Sequence, residues 1–410
     1  MSTIRPIPVP KNILNAEFLK NPYPVYAELC REAAIHQIQL NGPRWALVRH
    51  AECSTFLRDV RLSASGRIGA LLSRLGPEGR TKFAVLERSL EMWMLLRDPP
   101  EHTRLRKLMN KGFSPAAIEG LRTQIESVVD QMLDAEPFVG AAQIDLIHHF
   151  AHPLPVRVIA QMLGVPASMK QQFIEWSDCI AHFVGSEVSD ETAGATQDAV
   201  IALTSYFRGE VGERRHHKGT DLVSLLIDIE EDGEVLTEEE LYAQCVQLLF
   251  GGHETTRNLI GNGLYNLLEN PAELSELRRN PEMIRTAVEE LLRYESPVQL
   301  ATRVAKEEME IAGTQVRPGE AVIFLLAAAN RDPRKFENPD KLNLKRIKND
   351  HLAFGAGAHF CIGNLLARLE AQVSILKVLQ KYPKMRLSDK PPEWVPNFAV
   401  RGLKSLVVTV

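Results

Sequence analysis

Several features that would assign this chain to a functional class are scarce or missing. The formal net charge is -4 over 410 residues, which gives no electrostatic support for a nucleic-acid partner. The five cysteines are scattered, and no two have the C-x-x-C spacing of a metal site, so disulfides and cysteine-bound zinc are not expected. Such thiols are typical of a reducing compartment, and we therefore expect a cytoplasmic location.

Long hydrophobic runs and linkers are absent as well. The first ten residues are rich in proline and have neither the length nor the apolarity of a signal peptide or a membrane anchor. No Ser/Gly run, charge block or internal repeat divides the rest of the chain. We expect one domain over residues 1–410, with residues 1–20 as an extended lead-in, in a soluble, monomeric protein.

Periodicity predicts mostly helices. Residues 36–48 alternate apolar and polar positions on both sides of Asn41-Gly42, which predicts a hairpin. Residues 60–90 lack a clear period and contain four glycines, so we expect a long loop with short helical pieces. A further loop is expected at residues 185–190, between two helices.

The stretch around the last cysteine combines glycines, aromatic residues and a histidine. It reads Phe-Gly-Ala-Gly-Ala-His-Phe-Cys-Ile-Gly from Phe354 to Gly363, and an apolar helical pattern begins at Ile362. Cys361 is therefore expected at a helix N-terminus, where the helix dipole and unpaired N–H groups favour a thiolate. Glycines such as Gly355 permit backbone angles that other residues avoid. A haem iron takes an axial thiolate of this kind, whereas a lone cysteine near glycines is more often a buried residue after a turn.

A second unusual stretch lies within the longest helical pattern, from Leu236 to Asn270. Thr237 and Glu240 have the spacing of a capping box at its start, and Pro271 ends it. At 1.5 Å per residue the helix would be roughly 50 Å long. Its centre carries two adjacent glycines, each of which costs about 1 kcal/mol relative to alanine in a helix interior. A function is expected to offset that cost.

The residues after these glycines suggest the function. Gly251 and Gly252 would let a flat cofactor and dioxygen approach the helix backbone. The Thr255 hydroxyl can bond to the Gly251 carbonyl and bend the helix, and Glu254 supplies an ionisable group for proton transfer. The alternative for two glycines alone is helix packing beside a surface acid.

Together the two stretches resemble the cytochrome P450 family. Residues 354–363 match the haem-binding signature Phe-x-x-Gly-x-x-x-Cys-x-Gly at every fixed position, and residues 251–256 resemble the oxygen-activation motif. The resemblance covers roughly residues 20–410 and is to the soluble bacterial type. It implies a mainly α fold with small β-sheets, and haem b between the long central helix and the Cys361 loop. Cys361 would ligate the iron, with Phe354, Gly355 and Gly363 in contact with the cofactor.

The resemblance also implies roles for charged residues elsewhere. His102 and Arg106, which are four apart and share one helix face, are expected to hold haem propionates together with Arg303 and His359. Pairing of arginine with a carboxylate gives the physical reason. The alternatives are a solvated basic helix face for the first two residues and a surface charge at a strand end for Arg303.

Glu290 and Arg293 resemble the family's Glu-x-x-Arg motif, a buried pair that a later arginine joins. In isolation such a pair is an ordinary surface contact worth a few tenths of a kcal/mol. The run that usually supplies the third residue reads Asp-Lys-Leu at residues 340–342 here. Arg346 is the best substitute.

The implied activity is that of a haem-thiolate monooxygenase, an oxidoreductase that uses O2 to hydroxylate or epoxidise a lipophilic small molecule. The chain has no flavin or iron–sulfur motif, so electrons are expected from a separate ferredoxin or flavodoxin with its reductase. Such acidic partners would dock near Arg104, Lys107 and Lys111. The substrate pocket is expected to be apolar. Its candidate lining residues are Leu248, Phe250, Gly251, Val298, Leu300 and Phe398.

Two alternatives remain for the activity. A peroxide-dependent haem-thiolate enzyme would need no redox partner, but its family members usually replace the acid–alcohol pair that Glu254 and Thr255 provide here. A non-enzymatic haem sensor has little use for that pair or for a substrate-sized apolar pocket.

Overall fold

The computed structural model of the protein describes residues 16–39, 43–185, 188–231 and 236–410. These residues group into two compact units that are assembled from separated segments. The described parts of residues 1–63, 258–361 and 379–410 form one, which we call the sheet unit. Residues 64–257 and 362–378, where described, form the other, which we call the helical unit. The single domain expected from the sequence stays a prediction.

The helical unit is built almost entirely of helices. They run over Arg67–Leu72, Gly79–Lys82, Ala84–Glu91, Glu101–Asn110, Pro115–Gly120, Arg122–Leu133, Pro153–Met162, Lys170–Gly185, Asp190–His216 and Leu222–Glu231. The long helix, Glu238–Glu269, belongs to this unit up to residue 257, and Asn364–Lys381 does so up to residue 378.

Local sequence explains where the two longest helices begin. At the long helix the Thr237 hydroxyl accepts from the Glu240 N–H at 3.2 Å, and the Glu240 carboxylate accepts from the Thr237 N–H at 2.9 Å. This is the predicted capping box. Ser189 and Thr192 form the same reciprocal pair before Asp190–His216, with N–H to hydroxyl distances of 3.0 and 3.1 Å.

The sheet unit centres on a five-stranded sheet. Its strands lie in the order Ile35–Gln39, Pro43–Leu47, Ala321–Leu325, Leu300–Ala305 and Leu62–Ser63. Pro43–Leu47 and Ala321–Leu325 are parallel, and the other neighbours are antiparallel. The first two strands confirm the predicted hairpin; its turn residues Asn41 and Gly42 lie outside the described residues.

Smaller elements complete the sheet unit. Its helices run over Ala16–Lys20, Tyr23–Glu32, His50–Phe56, Pro271–Arg279, Ile284–Tyr294 and Leu326–Ala329. Its other antiparallel strand pairs are Met309–Ile311 with Thr314–Val316, Arg386–Leu387 with Val407–Thr409, and Glu393–Trp394 with Leu403–Ser405.

The core of the sheet unit lies on both faces of its central strand. Side chains alternate between faces along a strand. Val322 and Phe324 enter one buried apolar cluster, and Ile323 and Leu325 enter another. The strand Ala321–Leu325 is therefore apolar at every position because both faces are covered.

Two segments carry more helix than the sequence predicts. Residues 16–20 are helical rather than extended because Phe18 is buried against the rings of Tyr26 and Phe398, at centroid distances of 5.6 and 5.7 Å. The rest of the expected lead-in, residues 1–15, and residues 186–187 of the expected loop lie outside the described residues.

Residues 60–90 contain three helices instead of a mainly looped segment. Leu86 and Leu90 are buried, and Arg80 Nε donates to both carboxylate oxygens of Glu87 at 3.0 Å. Tertiary packing therefore compensates for the four glycines. No helix in the described part of the chain combines the length and apolarity needed to cross a membrane.

Candidate functional site

Cys361 ends a loop whose shape depends on two glycines in the left-handed region. The φ angles are 71° at Gly355 and 73° at Gly357, which favour glycine over other residues. A Cβ on Gly357 would also lie 2.9 Å from the Leu57 carbonyl oxygen. The loop is closed by the Cys361 N–H, which donates to the Phe354 carbonyl at 2.9 Å. Cys361 is held by backbone contacts and keeps its thiol partly exposed.

The helix after the cysteine begins later than predicted. It starts at Asn364, because Ile362 and Gly363 form a turn. Cys361 thus precedes the first helical residue by three positions instead of by one. A thiolate there depends on the N–H groups of the loop as well as on the helix terminus.

Aromatic rings surround the loop. The rings of Phe354 and Phe360 lie 6.3 Å apart, and Phe360 is exposed at the surface. His351 lies 6.0 Å from the Phe354 ring and its Nε2 is 3.1 Å from a Glu289 carboxylate oxygen. Phe354 is therefore fixed between two neighbours.

Arg303 and His359 belong to the same sheet unit as Cys361. Arg303 lies in the strand Leu300–Ala305 and is only 6% exposed, and its Nη1 donates to the Thr302 carbonyl at 2.9 Å. His359 ends a short helical turn, Gly357–His359, and is partly exposed. Burial makes Arg303 a desolvated cation rather than the surface charge of the alternative.

The three pocket candidates of this unit pack on its core. Val298 forms an isolated bridge with Val400 and contacts the cluster of Val322 and Phe324. Leu300 and Phe398 contact the cluster on the opposite face. All three are partly exposed, so each presents apolar surface beyond the core.

Glu290 is the buried centre of a polar network. Arg293 donates to both of its carboxylate oxygens at 2.8 Å, and both side chains are inaccessible. Arg346 Nε donates to Glu290 Oε2 at 3.0 Å, so it occupies the third position expected of it. The amide of Asn349 and the N–H of Asn343 complete the shell at 3.1 and 3.0 Å. These last two partners gave no signal in the sequence.

In the helical unit, the centre of the long helix presents a glycine, an acid and an alcohol. Thr255 Oγ1 donates to the Gly251 carbonyl at 2.9 Å. A Cβ on Gly251 would meet no atom within 4 Å, whereas one on Gly252 would lie 2.9 Å from Ile159 Cδ1. Gly252 therefore packs against the helix Pro153–Met162, which corrects the expectation that both glycines face a cofactor.

Glu254 lies among other ionisable groups. Burial raises its pKa, and the positive charge of Arg257 acts in the opposite direction. The neighbouring His253 is only 1% exposed, and burial together with the His152 ring lowers its pKa to about 3. His253 is therefore neutral near pH 7.

The propionate candidates of this unit share the helix Glu101–Asn110. His102 is 2% exposed, while Arg106 is half-buried and its Nε donates to Asn110 Oδ1 at 3.0 Å. Arg104, expected to offer a charge to a redox partner, forms an ion pair with Glu240.

Two glutamines that sequence reasoning missed attach the segment before this helix to the long helix. Gln244 accepts from the Met94 N–H at 3.1 Å and donates to the Met92 carbonyl at 2.9 Å, and Gln247 accepts from the Leu95 N–H at 3.0 Å. The sequence did contain a signal for this contact, because Gln244 and Gln247 are polar residues three apart within an apolar run. The Phe250 ring also stacks on the indole of Trp93 at 5.2 Å, and Leu248 is buried.

These residues fit a haem. Cys361 is partly exposed in a loop that a backbone hydrogen bond closes, which suits a thiolate ligand to iron. A Cβ on Gly363, like one on Gly251, would meet no atom within 4 Å, so the backbone at both positions is open to a flat group. Arg303 is a buried cation of the kind that pairs with a propionate.

Comparison with known proteins gives a consistent result. The sequence model of the family "Cytochrome P450" matches residues 68–398. "Biotin biosynthesis cytochrome P450" of Bacillus subtilis (strain 168) is 38% identical over 399 residues, which are 96% of this chain and 98% of that protein. "Polyketide biosynthesis cytochrome P450 PksS" of the same strain is 36% identical over 405 residues, 96% and 97% of the two chains.

A solved structure is similar in fold as well. It is the crystal structure of P450BioI in complex with an acyl carrier protein ligated to hexadec-9Z-enoic acid. It superposes with a TM-score of 0.89 at 37% identity and covers 97% of this chain and 100% of that one.

Proposed function

The chain belongs to the cytochrome P450 family, whose members bind haem b, and from that premise we propose that it inserts one oxygen atom of O2 into a lipophilic small molecule. Hydroxylation and epoxidation are both within this reaction class, and the electrons would come from a separate ferredoxin or flavodoxin with its reductase. The observation that carries the proposal is the Cys361 loop, which holds a partly exposed sulfur by backbone contacts.

The residues of the sheet unit would hold the cofactor. When bound, haem would supply the oxygen chemistry, and a thiolate ligand to its iron would favour O–O cleavage. Cys361 would ligate the iron, and Phe354 and Gly355 would shape the loop around the sulfur. Arg303 and His359 are proposed to bind propionates, together with the residues of the helix Glu101–Asn110 named above. Burial should make the contribution of Arg303 the largest.

Glu254 and Thr255 are proposed to handle protons. The Thr255 hydroxyl donates to the Gly251 carbonyl, so its oxygen remains available to accept a hydrogen bond from water or dioxygen-derived groups. Glu254, the preceding residue, is partly buried, which raises the pKa of its carboxyl, as suits a proton donor. The same pair favours an O2-dependent over a peroxide-dependent enzyme.

The substrate is proposed to be a lipophilic chain or ring. Leu248 and Phe250 in the helical unit, and Val298, Leu300 and Phe398 in the sheet unit, are the candidate contacts, and none is polar. The relatives named above include one from polyketide biosynthesis and one solved with a fatty acyl chain on a carrier protein. We therefore propose fatty acyl and polyketide chains, free or carrier-bound, as the first classes to test.

The test is reconstitution of the purified holoprotein. Spectral titration with free fatty acids, acyl carrier protein conjugates and polyketides first identifies binders. Each binder is then incubated with a surrogate ferredoxin, its reductase, reduced cofactor and O2, or with hydrogen peroxide alone. Oxidised product that requires reductase and O2 supports the proposal. Product from peroxide alone at an equal rate would support the peroxide-dependent alternative, and haem binding without turnover would support a sensor.

A further inference from the structure

Three metal-ligating side chains converge beside the oxygen-activation residues but are distinct from them. His152 immediately precedes the helix Pro153–Met162, Asp178 lies in Lys170–Gly185, and His253 lies in the long helix. Their potential ligand atoms all lie within 4.8 Å of one another. The mechanism above uses none of the three.

Two of the distances within this cluster are close to those of a tetrahedral site. His152 Nε2 is 3.5 Å from one carboxylate oxygen of Asp178, and His253 Nδ1 is 3.8 Å from the other. In a tetrahedral zinc site with bonds of about 2.0–2.1 Å, neighbouring ligand atoms are about 3.3 Å apart. Small side-chain rotations would therefore bring the three ligand atoms into range of one ion.

The three side chains of the cluster differ in their exposure to solvent. His253 is 1% exposed, and its Nδ1 lies 3.0 Å from the Ser177 hydroxyl. Rotation of that hydroxyl would free Nδ1 to ligate an ion. The side chains of His152 and Asp178 are 23% and 49% exposed. An ion could enter from solvent on the Asp178 side, and water could complete its coordination there.

The donor set selects the class of metal. Two imidazoles and one carboxylate favour a borderline-soft transition metal over Mg²⁺ or Ca²⁺, which prefer oxygen ligands throughout. The carboxylate attracts a cation, while the nearby guanidinium of Arg257 opposes one.

We propose that His152, Asp178 and His253 bind one Zn²⁺ ion, with a fourth position open to water. The ion would join the start of Pro153–Met162 and the helix Lys170–Gly185 to the long helix. Since it would bind only the folded protein, it should stabilise the helical unit by an amount that rises with the concentration of free zinc.

The experiment uses tag-free holoprotein that has been treated with a chelator and then given ZnCl2. Competition with a chromophoric zinc indicator measures affinity, and elemental analysis after gel filtration measures zinc per haem iron. We expect one zinc per iron and a higher melting temperature with zinc. His152→Ala and Asp178→Asn should each weaken binding at least about tenfold, since even the loss of an outer-shell partner costs that much.

His148→Ala is the matched control. His148 lies one turn before His152, with its ring 4.6 Å from that of His149, but it lies outside the cluster. This variant should bind zinc as the wild type does. All variants are first compared without zinc for haem absorbance and melting temperature, which separates lost binding from lost folding.

Zinc-edge X-ray absorption identifies the ligands directly. Two imidazole ligands and oxygen donors are expected. A sulfur ligand would indicate Cys179, which adjoins Asp178, and would overturn the assignment. Absence of zinc binding, or equal affinity in the wild type and the two ligand variants, would also overturn it.

Discussion

The Thr255 hydroxyl donates to the Gly251 carbonyl oxygen at 2.9 Å, one helical turn earlier. A side chain that bonds back in this way competes with the backbone and tends to bend the helix. The bond fixes the orientation of the hydroxyl beside a glycine whose other side is open.

Replacement of Thr255 by alanine should uncouple turnover. We expect substrate binding and reduced-cofactor consumption to stay within a few-fold of wild type, because the hydroxyl contributes to neither. Product per electron pair should fall and hydrogen peroxide should rise by a matching amount. Cofactor, product and peroxide are measured in one reaction. Thr255→Ser should retain coupling, and Thr256→Ala, at a buried neighbour, is the control. A fully coupled Thr255→Ala would mean that another group supplies the hydrogen bond.

Glu254→Gln should behave differently from Thr255→Ala. The amide protons of glutamine are far less acidic than a carboxylic acid proton, so cofactor oxidation itself should slow, by about 10²–10⁴-fold if the carboxyl is the general acid. Stopped-flow and steady-state rates with saturating redox partner measure the change. Wild-type oxidation rates with altered coupling would instead assign Glu254 a positioning role.

Cys361→Ser should abolish the thiolate-type absorbance band of the reduced, carbon-monoxide-bound protein. Serine keeps the size of the side chain, and the loop is held by backbone bonds, so the fold should persist. Cys53→Ser, at a buried cysteine of the same unit, is the control. An unchanged band in Cys361→Ser would rule out this ligand.

Haem retention should depend on Arg303 more than on Arg106, because Arg303 is buried and Arg106 is not. A charge-assisted hydrogen bond is worth about 1.5–3 kcal/mol, so Arg303→Ala should speed haem loss to apomyoglobin by about tenfold to a hundredfold. Lys107→Ala, on the same helix as Arg106, should have no effect. Equal loss rates for all variants would rule out a propionate contact for both arginines.

The Glu290 network should contribute strongly to stability. Glu290→Ala leaves the buried Arg293 charge without compensation and should lower the free energy of unfolding by about 3–5 kcal/mol. Arg346→Ala removes one hydrogen bond to Glu290 and should cost about 1–3 kcal/mol. Denaturant unfolding measures both. Arg122→Ala, which breaks an exposed pair with Glu119, should cost at most about 1 kcal/mol. Similar losses in all three would show that burial does not decide the contribution.

The sequence determined the features that depend on near neighbours. The loop before Cys361 needs glycine at positions 355 and 357 because their φ angles are positive. The start of the long helix follows from Thr237 and Glu240, three residues apart. The family signature and the alternating arms of the hairpin are local in the same sense.

The tertiary structure decided what depends on distant segments. Gly252 and Gly251 are equivalent in sequence, yet only Gly252 faces Ile159 from another helix. Arg346 is 56 residues from Glu290, and its assignment needed the fold to bring the two within 3.0 Å. No local pattern links His152 with the long helix. Side-chain packing and ion pairing act through space, so the chain order of these residues carries little information about them.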